Sequence, residues 1–189
     1  MSRAADRPWP DFSSVHTVIF DFDGVFTDNK VYVSGRGDET VRCDRADGLA
    51  IDILRRYRRK GQFNARVFIL SKEKNAVVSA RARKIGLECH YGVSDKVKFM
   101  KRYLARHHRN LKNPFANVIF LGNDLNDLPL MQAVGFSVAP SDAHARIRKA
   151  ASIVLPQKGG EGFVRAFVER LLGINKLSTG DINELVSDC

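Results

Sequence analysis

An α/β fold with a mostly parallel sheet is predicted by three features of this 189-residue chain. Near-continuous apolar runs, "HTVIFDF" at 16–22, "RVFILS" at 66–71 and "NVIFLG" at 117–122, have the pattern of strands covered on both faces. Between them, apolar residues recur at helical spacing: Ala50, Ile53, Leu54 and Tyr57, then Val97, Met100 and Leu104, then Phe163, Val164, Phe167, Val168 and Leu171. The third feature is their order. Strand and helix alternate, and alternation implies a parallel sheet with crossover helices.

The elements follow in chain order. Residues 1–15 form an extension without the apolar core of a secretory signal. The strand at 16–22 opens a single domain expected over 16–172. Residues 30–42, "KVYVSGRGDETVR", break the alternation and read as two short strands around "SGRGD", a hairpin inserted after the first strand. A helix is expected over 46–60, and strands at 66–71, 88–91, 117–122, 135–138 and 152–155. The chain ends in a polar segment, 173–189, expected to be a mobile tail.

Composition bounds the function. Hydrophobic residues make up 44% and charged residues 28%, as in a globular protein. No apolar run approaches the roughly 20 residues of a membrane helix. Cys43, Cys89 and Cys189 are odd in number and lack a CxxC pair, which argues for free thiols in a reducing, cytoplasmic setting. The net charge of +10 permits nucleic-acid binding, but the basic residues are scattered over the polar faces of predicted helices. A small anionic substrate accounts for the charge equally well, and neither a nucleic-acid nor a membrane partner is expected.

The chemistry gathers at strand ends. Asp21 and Asp23 lie two apart and so share one side of the first strand. Two such carboxylates raise each other's pKa unless a cation or hydrogen bonds intervene. Taken alone, Asp23-Gly24 also reads as a simple turn. The second long strand ends in Ser71, followed by Lys72 and Glu73, and the fourth in "GNDLND", with Asn123, Asp124 and Asp127. Lys96 opens the helix before that fourth strand. In open parallel sheets the carboxyl ends of the strands form the site. Each residue has a structural alternative as a cap, turn or surface charge.

In this order the motifs resemble the haloacid dehalogenase superfamily of phosphohydrolases. "DFDGVFTD", the hairpin, "RADG", "SDK", "GNDLNDLPLMQAVGFSVAPSDAH" and "GGEGFVRAFVERLLG" are similar to its cap-less sugar-acid phosphatases, over nearly all of 16–175. The resemblance implies a Rossmann-like three-layer sandwich with the hairpin in place of a cap domain, assembled as a homotetramer. It implies a phosphorylated sugar acid as substrate, either 3-deoxy-D-manno-octulosonate 8-phosphate or a nonulosonate 9-phosphate such as that of KDN or Neu5Ac. It implies Asp21 as nucleophile, Asp23 as general acid and base, and Ser71 and Lys96 as holders of the phosphoryl oxygens. Magnesium would then be bound by Asp21, Asp23 and the Asn123-Asp124 turn. Lys72 and Glu73 would face the sugar. Arg81 and Lys84, three apart on one helix, either meet its carboxylate or are exposed helix charges.

Two departures stand out. Asn123 falls where the family usually has a metal-binding carboxylate. Glu73 and Glu161 fall where the octulosonate branch tends to have Arg, which leans toward a nine-carbon substrate. The rival expectation is a catalytically weak assembly module, related to the C-terminal domain of acylneuraminate cytidylyltransferases.

Overall fold

The computed structural model describes residues 8–187, so Cys189 lies outside the described residues. Its frame is a six-stranded parallel sheet formed by β1 (Thr17–Phe20), β4 (Arg66–Leu70), β5 (Glu88–His90), β6 (Val118–Leu121), β7 (Phe136–Ala139) and β8 (Ile153–Val154). The spatial order is β5-β4-β1-β6-β7-β8. Sequential strands first add on one side of β1, and the chain then crosses back to add β6 on the other side. That reversal opens a crevice at the carboxyl ends of β4, β1 and β6.

Alternating side chains of each central strand feed two cores, which explains their unbroken apolar runs. Val18, Phe20, Val67, Ile69, Ile119 and Leu121 join one core, and Ile19, Phe68, Leu70, Val118 and Phe120 the other. The first core is covered by α1 (Arg45–Arg59), α2 (Ala76–Lys84), α6 (Phe163–Leu172) and α7 (Thr179–Val186). The second lies beneath α3 (Lys96–His107), α4 (Leu128–Ala133) and α5 (Ala145–Ala150). Three layers result.

The inserted hairpin pairs β2 (Thr27–Val33) with β3 (Glu39–Cys43), and so begins three residues earlier than its sequence pattern indicates. Thr27, Asp28 and Asn29 are polar and carry no strand signature. Thr27 pairs with Cys43, and Asp28 and Asn29 follow in the irregular stretch before Val31. Val31, Tyr32 and Val33 are more than half exposed on this hairpin. The C-terminal segment does not run free over Thr179–Val186. There α7 docks on α1: Leu185 is buried, its carbonyl accepts from the buried Arg56, and Lys60 meets Glu184 at 2.9 Å. Trp9 of the N-terminal extension packs on Phe136 and Phe167.

Candidate active site

A cavity of about 390 Å³ opens at the carboxyl ends of β1, β4 and β6. Asp21, Asp23, Ser71, Lys72, Glu73, Asn123 and Asp124 all line it, drawn together from three segments of the chain. Asn29, Lys74 and Asn126 complete the lining. Residues that hold charge are thus concentrated where the sheet leaves its crevice.

Asp21 is almost wholly buried, with its backbone N–H bonded to the Leu121 carbonyl. Its Oδ1 accepts from the Phe22 N–H at 2.8 Å and meets the Lys96 Nζ at 2.8 Å. Among the described residues Oδ2 has no hydrogen-bond partner, so it stays available to a metal or to phosphorus. Burial pushes the Asp21 carboxyl up to about 7, with Lys96 pulling against that and Asp127 adding to it. Lys96 is buried below the cavity at the first turn of α3 and also donates to Asp127 Oδ1 at 2.7 Å. Burial pulls its ammonium down, but Asp21 and Asp127 override this and hold it above the ordinary amine value. One lysine thus joins two buried carboxylates, an arrangement that persists only because every charge has a close partner.

Asp127 is the residue whose role the sequence left unassigned. It is fully buried, and its Oδ2 accepts from the backbone N–H groups of Asn123 and Asp124 at 2.9 and 3.3 Å. It therefore shapes the turn that presents Asn123 while anchoring Lys96. The available signal was its spacing, three after Asp124, as in a capping box.

Asp23 is partly buried. Its carboxyl is raised above the usual carboxylate range by burial first, then by the charges of Glu73 and Glu39, with Lys96 and the Thr27 hydroxyl opposing. Gly24 beside it has φ +70°, and a Cβ there would fall 1.9 Å from Asn123 Nδ2. Glycine is required both by the left-handed turn and by the packed amide. Gly159 is constrained in the same way, since a Cβ would lie 2.1 Å from the Gly24 carbonyl oxygen. The "GGEG" loop therefore braces the Asp23-Gly24 turn.

Asn123 is buried, whereas Asp124 is exposed and caps the following 3-10 turn by accepting from Leu125 N–H at 2.7 Å. Ser71 is buried, and its Oγ accepts from the Glu73 N–H. Glu73 turns its Oε1 onto the N–H groups of Lys74 and Asn75, which orders the loop and leaves Lys72 and Lys74 at the cavity wall. Asn75 in turn caps α2 and donates to Glu39, tying the hairpin to this loop.

Arg81 and Lys84 are not among the residues lining this cavity. The helix α2 leaves the site at Asn75 and descends about 1.5 Å per residue, which carries both away from the crevice. Arg81 instead donates to the Asp44 carbonyl at 3.0 Å, and Lys84 is exposed. Glu161 likewise lies outside the lining, where it meets Arg42 at 3.1 Å while Arg42 holds Asp28 at 2.8 Å.

Comparison with known proteins places the chain in a family. The family model of haloacid dehalogenase-like hydrolases matches residues 64–167, more than half of the chain. The 3-deoxy-D-manno-octulosonate 8-phosphate phosphatase KdsC of Yersinia pestis is 31% identical over 161 residues, covering 85% of this chain and 81% of that protein. The chain belongs to the haloacid dehalogenase-like hydrolases. Like its KdsC relatives it is a phosphoric monoester hydrolase, and within the family it stands with the cap-less sugar-acid phosphatase branch. The KdsC phosphatase of Escherichia coli K12 is 31% identical over 172 residues, 90% of this chain and 84% of that protein. Among solved structures, the octulosonate 8-phosphate phosphatase of Yersinia pestis superposes with a TM-score of 0.74 at 29% identity, covering 86% of this chain and 83% of that one. The Moraxella catarrhalis octulosonate 8-phosphate phosphatase, solved with magnesium, phosphate and KDO, shares the fold with a TM-score of 0.75 at 21% identity, covering 86% of this chain and 88% of that one. Among the described residues no helix of this haloacid dehalogenase-like hydrolase is long and apolar enough to cross a membrane.

Proposed function

We propose that the protein is a magnesium-dependent phosphatase that hydrolyses a phosphorylated sugar acid through an aspartyl-phosphate intermediate. The observation that carries this reading is the buried Asp21–Lys96–Asp127 group beneath a cavity into which Asp23 also faces. Asp21 attacks phosphorus, and the sugar oxygen leaves with a proton from Asp23. Asp23, now a carboxylate, takes a proton from the water that attacks the aspartyl phosphate, and both groups return to their starting states. The raised pKa of Asp23 suits a proton donor. Ser71 and Lys96 meet the phosphoryl oxygens, and the buried lysine charge favours the charge that builds up there.

The donors at this site fit magnesium, because the lining offers hard carboxylate and amide oxygens from Asp21, Asp23, Asn123 and Asp124. Those residues would hold the ion, Asp23 through its backbone carbonyl. When bound, magnesium supplies positive charge that polarises the phosphoryl group.

The similar proteins point to 3-deoxy-D-manno-octulosonate 8-phosphate as the first substrate to test. A nonulosonate 9-phosphate is the second reading and rests on Glu73 at the cavity wall, Glu161 being engaged elsewhere. The exposed Val31, Tyr32 and Val33 suit burial against a neighbouring copy, and the assembly we propose is a homotetramer. The unpaired Cys43 and Cys89 suit a cytoplasmic setting. Phosphate release from both sugar-acid phosphates and an aryl phosphate, with and without magnesium, tests the proposal. Magnesium-dependent release is expected. Inert protein under all conditions would instead favour the assembly module.

A further inference from the structure

We propose that Asn29 is a specificity-determining residue, whose carboxamide hydrogen-bonds a hydroxyl of the substrate's carbon chain close to the phosphoester. This deepens the phosphatase reading and rests on it. Asn29 is the one non-glycine among the described residues with positive φ, at 60°. It sits where the β2–β3 ladder shifts register between Thr27 and Val31, so this stretch leaves the regular pairing and Asn29 lines the cavity beside Asp23.

Its place is fixed by Thr27, which is fully buried. Thr27 Oγ1 accepts from the Asn29 N–H at 3.2 Å and from the Gly24 N–H at 3.1 Å, and the same hydroxyl helps to pull the Asp23 carboxyl down against burial. One buried hydroxyl therefore holds the Asn29 backbone in register with the residue that protonates the leaving oxygen. The Asn29 carboxamide itself makes no hydrogen bond to the described residues, unlike that of Asn75, which is used twice.

The choice of residue type completes the argument. A turn at φ +60° is met most easily by glycine, and asparagine is among the few side chains that tolerate it. An amide here adds a neutral NH2 donor group and a neutral carbonyl acceptor to a wall that already holds Lys72, Glu73, Lys74 and Asp124. Phosphoryl oxygens are met by Ser71 and Lys96, and a carboxylate suits the lysines. A hydroxyl both gives and takes a hydrogen bond, which is the group a carboxamide complements.

Asn29→Gly tests this, because glycine keeps the turn unstrained while deleting the amide. Steady-state kinetics are measured on the sugar-acid phosphate and on a hydroxyl-free aryl phosphate, in the full chain with magnesium. The ratio of kcat/KM, sugar acid over aryl phosphate, is expected to fall about 5- to 10-fold, through KM, as for loss of one neutral hydrogen bond. An unchanged ratio, whether both substrates are spared or both suffer equally, overturns the inference and leaves Asn29 a turn residue. Wild-type protein inert toward both substrates overturns the phosphatase reading itself, and the inference with it.

Discussion

In the proposed mechanism, attack on phosphorus is the step that no neighbour of Asp21 can take over. Asp21→Asn keeps the shape of the side chain but removes the nucleophile, so turnover is expected to fall by several orders of magnitude. Phosphate release near the wild-type rate in that variant would sink the covalent route. Asn123 poses the opposite question, since a neutral amide is buried where a carboxylate would attract a cation more strongly. Asp124 next to it also lines the cavity, but one of its two oxygens is taken by the cap, so a carboxylate at 123 would still add charge and an oxygen. Asn123→Asp is therefore expected to tighten magnesium binding on the order of tenfold and to raise activity mainly at limiting magnesium. The metal-free variant should also lose some stability, because a further carboxylate joins Asp21, Asp23 and Asp127. A magnesium titration of both proteins decides, and an unchanged midpoint counts against Asn123 as a ligand.

Among the elements, α6 depends on a residue from another helix. Its own N-cap position is Gly162, which has no side chain to offer, and the Arg165 N–H is met instead by Asp47 Oδ1 of α1 at 2.9 Å. Asp47 is fully buried, and its second oxygen, Oδ2, has no partner. Burial pushes its carboxyl up to about 7, against the backbone N–H groups of Arg165 and Val164 that pull it down. The folded state thus holds a proton here more tightly than the unfolded chain does. Stability from this group is greatest below the unfolded pKa of about 4 and declines as pH rises toward 7, then levels off. Asp47→Asn keeps an acceptor for Arg165 and should flatten that decline, as followed by denaturant melts between about pH 4 and 8. Asp47→Ala removes the cap and should cost about 1–2 kcal/mol at the acid end of that window, a cost that shrinks as pH rises. A pH profile for the Asn variant identical to wild type would remove Asp47 as its source.

For the whole molecule, the hairpin sets the expectation. A two-stranded sheet that projects three adjacent exposed apolar residues is marginal by itself and gains from a partner surface. Light scattering should report a tetramer. Replacing Val31, Tyr32 and Val33 together by serine should shift it toward smaller species and lower activity, if neighbours help close the site. A fully active wild-type monomer would refute the assembly.

Residue order alone carried a large part of this protein. The apolar runs, their helical interludes and the strand-end positions of Asp21, Asp23, Ser71 and Asn123 follow from local periodicity, which a chain displays without being folded. What it could not display were distances between segments remote in sequence. Lys96 and Asp127 lie 31 residues apart, and only the crossover that sets β6 beside β1 brings both to Asp21. The same limit separated Arg81 and Lys84 from the site, because their share of a helix face says nothing of how far α2 has descended from the cavity. Asn29 and Asp47 are polar residues in unremarkable stretches, and their roles arise from a register shift and from a helix end contributed by another element. Local spacing picked out the strand-end residues proposed to bear the chemistry; tertiary packing decided which of them meet and which others join them.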